Sequence, residues 1–170
     1  HVYSSKNKKI SEVMKCKPIS YYGKTKKLAE DYIVSKLKNN FTKYCIGRIF
    51  STTNINQKDN YLVPDLKRKI KKAKKEIFLK NLNHYRDFIS MEDISKIIFV
   101  LMKKKFSGVL NLGTGKGIFL KDIAKIIAKK YNKELIFFDN KKTTYLVANI
   151  TRLLKVYKFK KSKKIEKIIF

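Results

Sequence analysis

Short apolar stretches of strand character alternate with stretches of helical period along most of the chain, and this alternation restricts the fold more than any other feature. Leu28, Ala29, Tyr32, Ile33 and Leu37 recur at three- and four-residue steps and form one apolar stripe on a helix expected from about Lys24 to Leu37. A buried strand is expected over Tyr44–Phe50. A second helix carries Val63, Leu66, Ile70, Ala73 and Ile77, with Pro64 in its first turn, where a missing N–H costs little. Short strands follow at Glu76–Lys80 and Tyr85–Ile89. Met91–Lys104 reads as a third helix, with Ser90 as its N-cap and the acids Glu92 and Asp93 beside its positive end. Gly108–Leu112 is a strand, and the turn Gly113–Gly117 leads into a fourth helix reaching about Tyr131. Glu134–Phe138 is another strand, and the tail is helical from Asn149 before it becomes lysine-rich around Ile165, Ile168 and Ile169. Such an order predicts an α/β protein with some parallel sheet.

A chain of 170 residues holds one domain of ~100 to 200 residues rather than two independent cores, and no repeat, Gly/Ser linker or Pro-rich stretch divides it. Hydrophobic residues make up 44% of the chain, enough for a core and too many for a disordered tail. The formal net charge of +29 brings acidic partners into consideration. However, only Arg48, Arg68, Arg86 and Arg152 are arginines, whereas proteins that grip phosphates or bases lean on arginine forks. The lysines are spread over the whole chain and, with abundant Ile and Asn, suit a coding sequence rich in A and T. Cys16 and Cys45 have no CxxC spacing and no histidine cluster beside them, so no zinc site or other metal site and no disulfide framework is indicated. A reducing cytoplasm fits best. The longest apolar run, Ile97–Met102, is far short of the ~20 residues that span a bilayer. The chain opens on His1 and runs at once into the strand-like Val2-Tyr3, which leads us to expect a piece of a longer protein.

Three local patterns bear on chemistry. Tyr22-Gly23-Lys24-Thr25-Lys26 places an ammonium one helical turn from a phenol, and a nearby cation favours phenolate. Such a tyrosine can hand a proton to a carbonyl oxygen or take one from an alcohol. In so lysine-rich a chain the spacing alone decides little, since Tyr32/Lys36 and Tyr157/Lys161 repeat it. Gly113-Thr114-Gly115-Lys116-Gly117 invites a phosphate-loop reading but matches neither GxxxxGK[ST] nor GxGxxG, and a tight strand-to-helix turn is the better reading. Arg86 ends a strand, where its fork could clamp a phosphate or pair with Asp87 or Glu92. His84 has no partner motif and reads as a surface or packed histidine.

Five strings in this order, PISYYGKTKKLAEDYI (18–33), GRIFSTTN (47–54), YLVPDL (61–66), YRDFISMEDIS (85–95) and GVLNLGTGKGIFLKDIAKII (108–127), resemble the extended short-chain dehydrogenase/reductase family, the NAD-dependent epimerases and dehydratases of nucleotide sugars. The resemblance covers the chain to about Arg152. It implies the C-terminal part of a Rossmann-like doubly wound sheet plus a small α/β substrate-binding region. Residues 1–60 would be a remnant of the dinucleotide-binding domain with the catalytic helix, and 61–170 the substrate-binding region, interleaved as one compact unit.

On the same resemblance, Tyr22 is the catalytic acid/base, and Lys26 lowers its pKa and holds the nicotinamide ribose of NAD or NADP. Ile49 and Phe50 lie along the nicotinamide. Ser51 stands where many members place a substrate-contacting Asn, Leu62 approaches the nucleotide base, and Arg86 binds the substrate diphosphate. A homodimer through a bundle that includes the Tyr-Lys helix is implied as well. The departures are equally specific. The chain has no GxxGxxG turn to cradle the dinucleotide pyrophosphate, and the Ser or Thr that normally precedes the Val-Tyr dipeptide would fall before His1, so Ser4 and Ser5 receive no role. Ser90 replaces a frequent His. The expected activity is that of an NAD(P)-dependent epimerase, dehydratase or 4-ketoreductase of nucleoside-diphosphate sugars, weak or absent in this piece alone. The rival class is a basic module that binds nucleic acid or anionic membrane surfaces, with a steep salt dependence.

Overall fold

A computed structural model describes residues 2–37, 42–159 and 165–170. Helix α1 (Tyr21–Leu37) is followed by β1 (Cys45–Ile49), β2 (Ser51–Thr52), α2 (Leu62–Lys72), β3 (Glu76–Lys80), β4 (His84–Arg86), β5 (Phe88–Ile89) and α3 (Met91–Lys103). Then come β6 (Gly108–Leu112), β7 (Ile118–Phe119), α4 (Leu120–Tyr131), β8 (Glu134–Phe138), β9 (Thr144–Leu146), α5 (Thr151–Val156) and α6 (Glu166–Ile169). The pairs β1–β6, β2–β5, β3–β8 and β4–β9 are parallel and β4–β7 is antiparallel. This is the mixed α/β architecture, rich in parallel pairs, that the alternation implies. No helix among the described residues is long and apolar enough to cross a membrane.

Local chemistry sets the ends of the elements. Ser20 accepts a hydrogen bond from the Gly23 amide at 3.0 Å, and this cap starts α1 at Tyr21, three residues before the expected Lys24. Ser90 caps α3 as its sequence predicts, accepting from the Asp93 amide at 3.0 Å while its hydroxyl donates to the Asp93 carboxylate at 2.7 Å. Helix α2 stops at Lys72 because Ala73 turns to an extended conformation, so Ile77 does not extend the helix as expected but points inward from β3. The expected strand Tyr85–Ile89 is split at Asp87, and Ile118–Phe119 forms a short strand between the glycine turn and α4. Asn132, in the left-handed conformation, ends α4. The helix expected from Asn149 is α5, which begins at Thr151. Of the lysine-rich tail, residues 160–164 lie outside the described residues, and with them the Lys161 of the third YxxxK pair.

Two main apolar clusters and a smaller one hold these elements. α2, α4, β3 and β8 close around Leu66, Ile70, Ile123 and Ile127, with Ile169 of α6 sealing the cluster. α3, β5, β6 and α5 close around Ile94, Ile97, Leu110 and Leu153. Val2, Tyr3 and Ile10 form a third cluster with Met14, Cys16, Phe50 and Leu146, which fastens the N-terminal segment beside α1 and β1.

Candidate functional site

Tyr22, Lys26 and Glu30 follow one another at four-residue steps on α1, and all three line a crevice of about 330 Å³ between α1, the N-terminal segment and β1. Across from them Ile46, Ile49 and Phe50 give the lining an apolar part beside Gly47 and Arg48, with Val2 and Leu146 also lining the crevice. The Tyr22 side chain is 56% exposed at this opening, and the Lys26 ammonium sits over its ring, 5.3 Å from the centroid. Tyr32 and Lys36 repeat this geometry at 5.6 Å but line no part of the crevice. Of these two pairs, only Tyr22 and Lys26 bring a phenol and an ammonium to a crevice with apolar lining.

A polar network with little exposure to solvent fixes the crevice. Arg48 of β1 donates from Nε to both Glu30 oxygens at 3.1 Å and from Nη2 to Oε2 at 2.6 Å, while its Nη1 donates to the Tyr3 hydroxyl at 2.6 Å. The two side chains of this ion pair are 10% and 12% exposed. Burial works against the charged guanidinium, but the hydrogen bonds to Glu30 and Tyr3 outweigh it and hold the Arg48 pKa above its ordinary value. Burial likewise pushes the Tyr3 phenol up, against the pull of Arg48. The Tyr3 hydroxyl donates to Asn111 Oδ1 at 2.9 Å, and Asn111 reaches back to the Ile10 carbonyl at 2.8 Å. The N-terminal segment, α1, β1 and β6 are thus tied into one frame behind Tyr22 and Lys26.

The remaining sequence-derived residues lie outside this crevice. Ser51 opens β2, with its amide donating to the Asp87 carbonyl at 2.9 Å, and Leu62 is an exposed residue at the start of α2. Arg86 is half-buried, and its Nη1 donates to the Tyr85 carbonyl at 2.7 Å and to Thr144 Oγ1 at 2.9 Å. Burial pushes its pKa down. Neither expected ion pair forms, because the Asp87 carboxylate accepts from other donors and Glu92 takes Lys96 at 2.6 Å. Among the described residues no carboxylate pairs with Arg86, which leaves its Nε and Nη2 donors for an anion. His84 is partly buried beside it rather than free at the surface.

Asp87, read in the sequence only as a partner for Arg86, has a different role in the structure. Its Oδ1 accepts from the Thr114 amide at 2.8 Å and the Thr114 hydroxyl at 2.6 Å, and its Oδ2 accepts from the amides of Gly115 at 2.9 Å and Ala148 at 3.1 Å. The glycine turn is therefore closed on an internal carboxylate and offers these amides to no phosphate, as the structural reading of GTGKG requires. A Cβ on Gly113 would meet Asp87 Oδ2 at 2.6 Å, and Gly115 has a φ of +71°. The only local signal was an acid set between Arg86 and the apolar Phe88-Ile89. Arg48 and Glu30 were missed as a pair, although the scarcity of arginine marked Arg48.

A model of the NAD dependent epimerase/dehydratase family matches residues 1–113. The chain is 32% identical over 123 residues to a GDP-6-deoxy-D-talose 4-dehydrogenase of Aggregatibacter actinomycetemcomitans, a match that covers 72% of this chain and 41% of that protein. Among solved structures, the RMD protein of Pseudomonas aeruginosa complexed with NADPH superposes with a TM-score of 0.87 at 17% identity, covering 99% of this chain and 61% of the other. A UDP-N-acetylglucosamine 4-epimerase of Methanobrevibacter ruminantium, in complex with UDP-N-acetylmuramic acid, gives a TM-score of 0.85 at 22% identity over 99% of this chain and 57% of its own. These structures share the fold, and the chain spans roughly two fifths to three fifths of the length of such relatives.

Proposed function

The chain belongs to the NAD dependent epimerase/dehydratase family, and on that premise we propose that it supplies the catalytic helix and the substrate-binding part of an NAD- or NADP-dependent enzyme acting on a nucleoside-diphosphate sugar. The reaction is an epimerisation, a dehydration or a 4-ketosugar reduction. Residues 1–60 serve the dinucleotide side and 61–170 the substrate side. The observation that carries this reading is the meeting of Tyr22, Lys26, Ile49 and Phe50 at one crevice. The talose dehydrogenase relative supports the substrate class.

The donor set fits one end of the cofactor. Ile49 and Phe50 offer an apolar surface to a nicotinamide, and Lys26 offers an ammonium to its ribose, whereas the sequence holds no glycine-rich turn for the pyrophosphate. A nicotinamide held by Lys26, Ile49 and Phe50 would supply hydride chemistry at the sugar carbon. Tyr22 takes the proton from the sugar hydroxyl as a phenolate, or gives it to the carbonyl oxygen in the reverse direction, and the Lys26 ammonium stabilises the phenolate present before the proton is taken and left after it is given. Arg86 turns its unpaired Nε and Nη2 toward the substrate diphosphate, with Ser51 and Leu62 completing the substrate contacts. The same reading includes a homodimer through α1, supported by the exposure of Leu28 and Tyr32 on that helix.

Tyr22→Phe in the protein that carries this chain removes the hydroxyl and keeps the ring beneath Lys26. A fall in kcat of about a hundredfold or more is expected, and unchanged turnover of a nucleoside-diphosphate sugar would remove the mechanism. The 170-residue chain alone is expected to bind NAD weakly, and a micromolar affinity by calorimetric titration would contradict the limited fit.

A further inference from the structure

We propose that Thr144 and His84 are positioning residues that set the direction of the Arg86 guanidinium, an inference that rests on the reading of Arg86 as the diphosphate-binding group. In the parallel pair β4–β9, His84 lies opposite Thr144, and Arg86 follows two residues later on the same face of β4. The Thr144 amide donates to His84 Nδ1 at 3.2 Å, so that nitrogen presents a lone pair and the neutral ring carries its proton on Nε2. The Thr144 hydroxyl is 3.0 Å from the same nitrogen, and with that nitrogen unprotonated it is the donor, sharing the lone pair with the amide. Its oxygen is then left to accept from Arg86 Nη1 at 2.9 Å. The second Nη1 hydrogen goes to the Tyr85 carbonyl.

The relay thus runs in one direction, from Arg86 Nη1–H to Thr144 Oγ1–H to His84 Nδ1. It consumes both Nη1 hydrogens and leaves the Nε and Nη2 donors, the pair suited to bidentate contact with a phosphate. The charges around the imidazole keep it in the form the relay needs. Burial, then the Arg86 charge and Lys141, push the His84 pKa down, while Asp139 and a backbone contact at Asn83 act the other way. A protonated ring would present a hydrogen to the Thr144 amide and break the chain. Without Thr144, Nη1 would keep only the carbonyl of its own neighbour, and the guanidinium would be free to turn.

The test is uridine diphosphate binding in moderate salt, followed by NMR at the Arg86 Nε–Hε and His84 imidazole signals so that background binding by lysines does not enter. The wild-type ring should show the nitrogen shifts of the Nε2-protonated neutral form. Thr144→Val should weaken binding about two- to tenfold, the worth of one positioning hydrogen bond. Thr144→Ser, which restores the hydroxyl, and His84→Asn, which restores an acceptor near Nδ1, should bind within about twofold of wild type. Arg86→Gln should weaken binding about tenfold or more, as expected for a lost charged donor. Wild-type affinity in Thr144→Val, no rescue in Thr144→Ser, or an Nδ1-protonated neutral ring overturns the relay and leaves the Arg86 reading standing. Wild-type affinity in Arg86→Gln overturns that reading and the relay with it.

Discussion

Helices α4 and α1 both carry apolar residues at three- and four-residue steps, with the stripe much more sharply set apart from the polar face in α4, and they meet different fates. α4 is 12 residues long and buries Leu120, Ile123, Ala124, Ile127 and Ala128 against α2 and the strands beside it. α1 is 17 residues long and buries only Gly23, while Leu28 and Tyr32 of its expected stripe are 68% and 65% exposed. α3 stands between them, with Ile94, Ile97 and Leu101 turned inward and Phe99 and Met102 outward. Periodicity thus reports which face of a helix asks for cover, and the described residues provide that cover for α4 but not for α1. What holds α1 is polar, namely the Arg48–Glu30 pair. The proposed catalytic pair, Tyr22 and Lys26, therefore rests on the less densely packed side of the molecule, where local opening costs least.

The sharpest way to break this contrast is to remove the polar fastening. Glu30→Ala leaves the Arg48 guanidinium with little exposure and only the Tyr3 hydroxyl and the Glu12 carbonyl to bond, and a loss of about 3–5 kcal/mol is expected. Hydrogen exchange should place the loss first in α1. An urea midpoint unchanged from wild type would mean that α1 is held by something else. The apolar counterpart is Ile123→Ala in α4, which opens a cavity at a fully buried position and should cost about 2–5 kcal/mol by urea unfolding. Here the protection should fall across α2, α4 and β3 together, because they share one cluster.

The two sides were not equally legible in the sequence. β3, β6 and β8 have the limits their apolar runs suggest, since lysines, acids or glycines bound those runs on both sides. α3 could be placed from its Ser90 cap and first-turn acids. The break at Asp87 could not, because what stops the strand is a carboxylate committed to Thr114, Gly115 and Ala148, partners 27 to 61 residues away. In the site, the Tyr22–Lys26 contact follows from a four-residue step, but so does the Tyr32–Lys36 contact, and local spacing cannot choose between them. The choice is made by β1 and the N-terminal segment, which form the crevice beside one pair and not the other. Arg48–Glu30 and Thr144–Arg86 join residues 18 and 58 positions apart, the first brought together by α1 lying beside β1 and the second by the register of β4 and β9.

The smallest expected effect on stability tests the meaning of the uncovered stripe. Leu28→Glu places a charge where the side chain is already mostly in water, so the monomer should change by no more than about 0.5 kcal/mol in urea. If α1 is the contact between two copies, the same substitution should shift the protein toward the monomer in sedimentation equilibrium, because a carboxylate would be buried without a partner at that contact. A charge of −1 lowers the formal net charge of +29 only slightly, so general repulsion between copies does not account for such a shift. Leu28→Ala, which removes apolar area without adding charge, should weaken association less than Leu28→Glu. Equal association in all three proteins would exclude this face as the contact and leave the exposure of Leu28 and Tyr32 to be explained by a different partner surface.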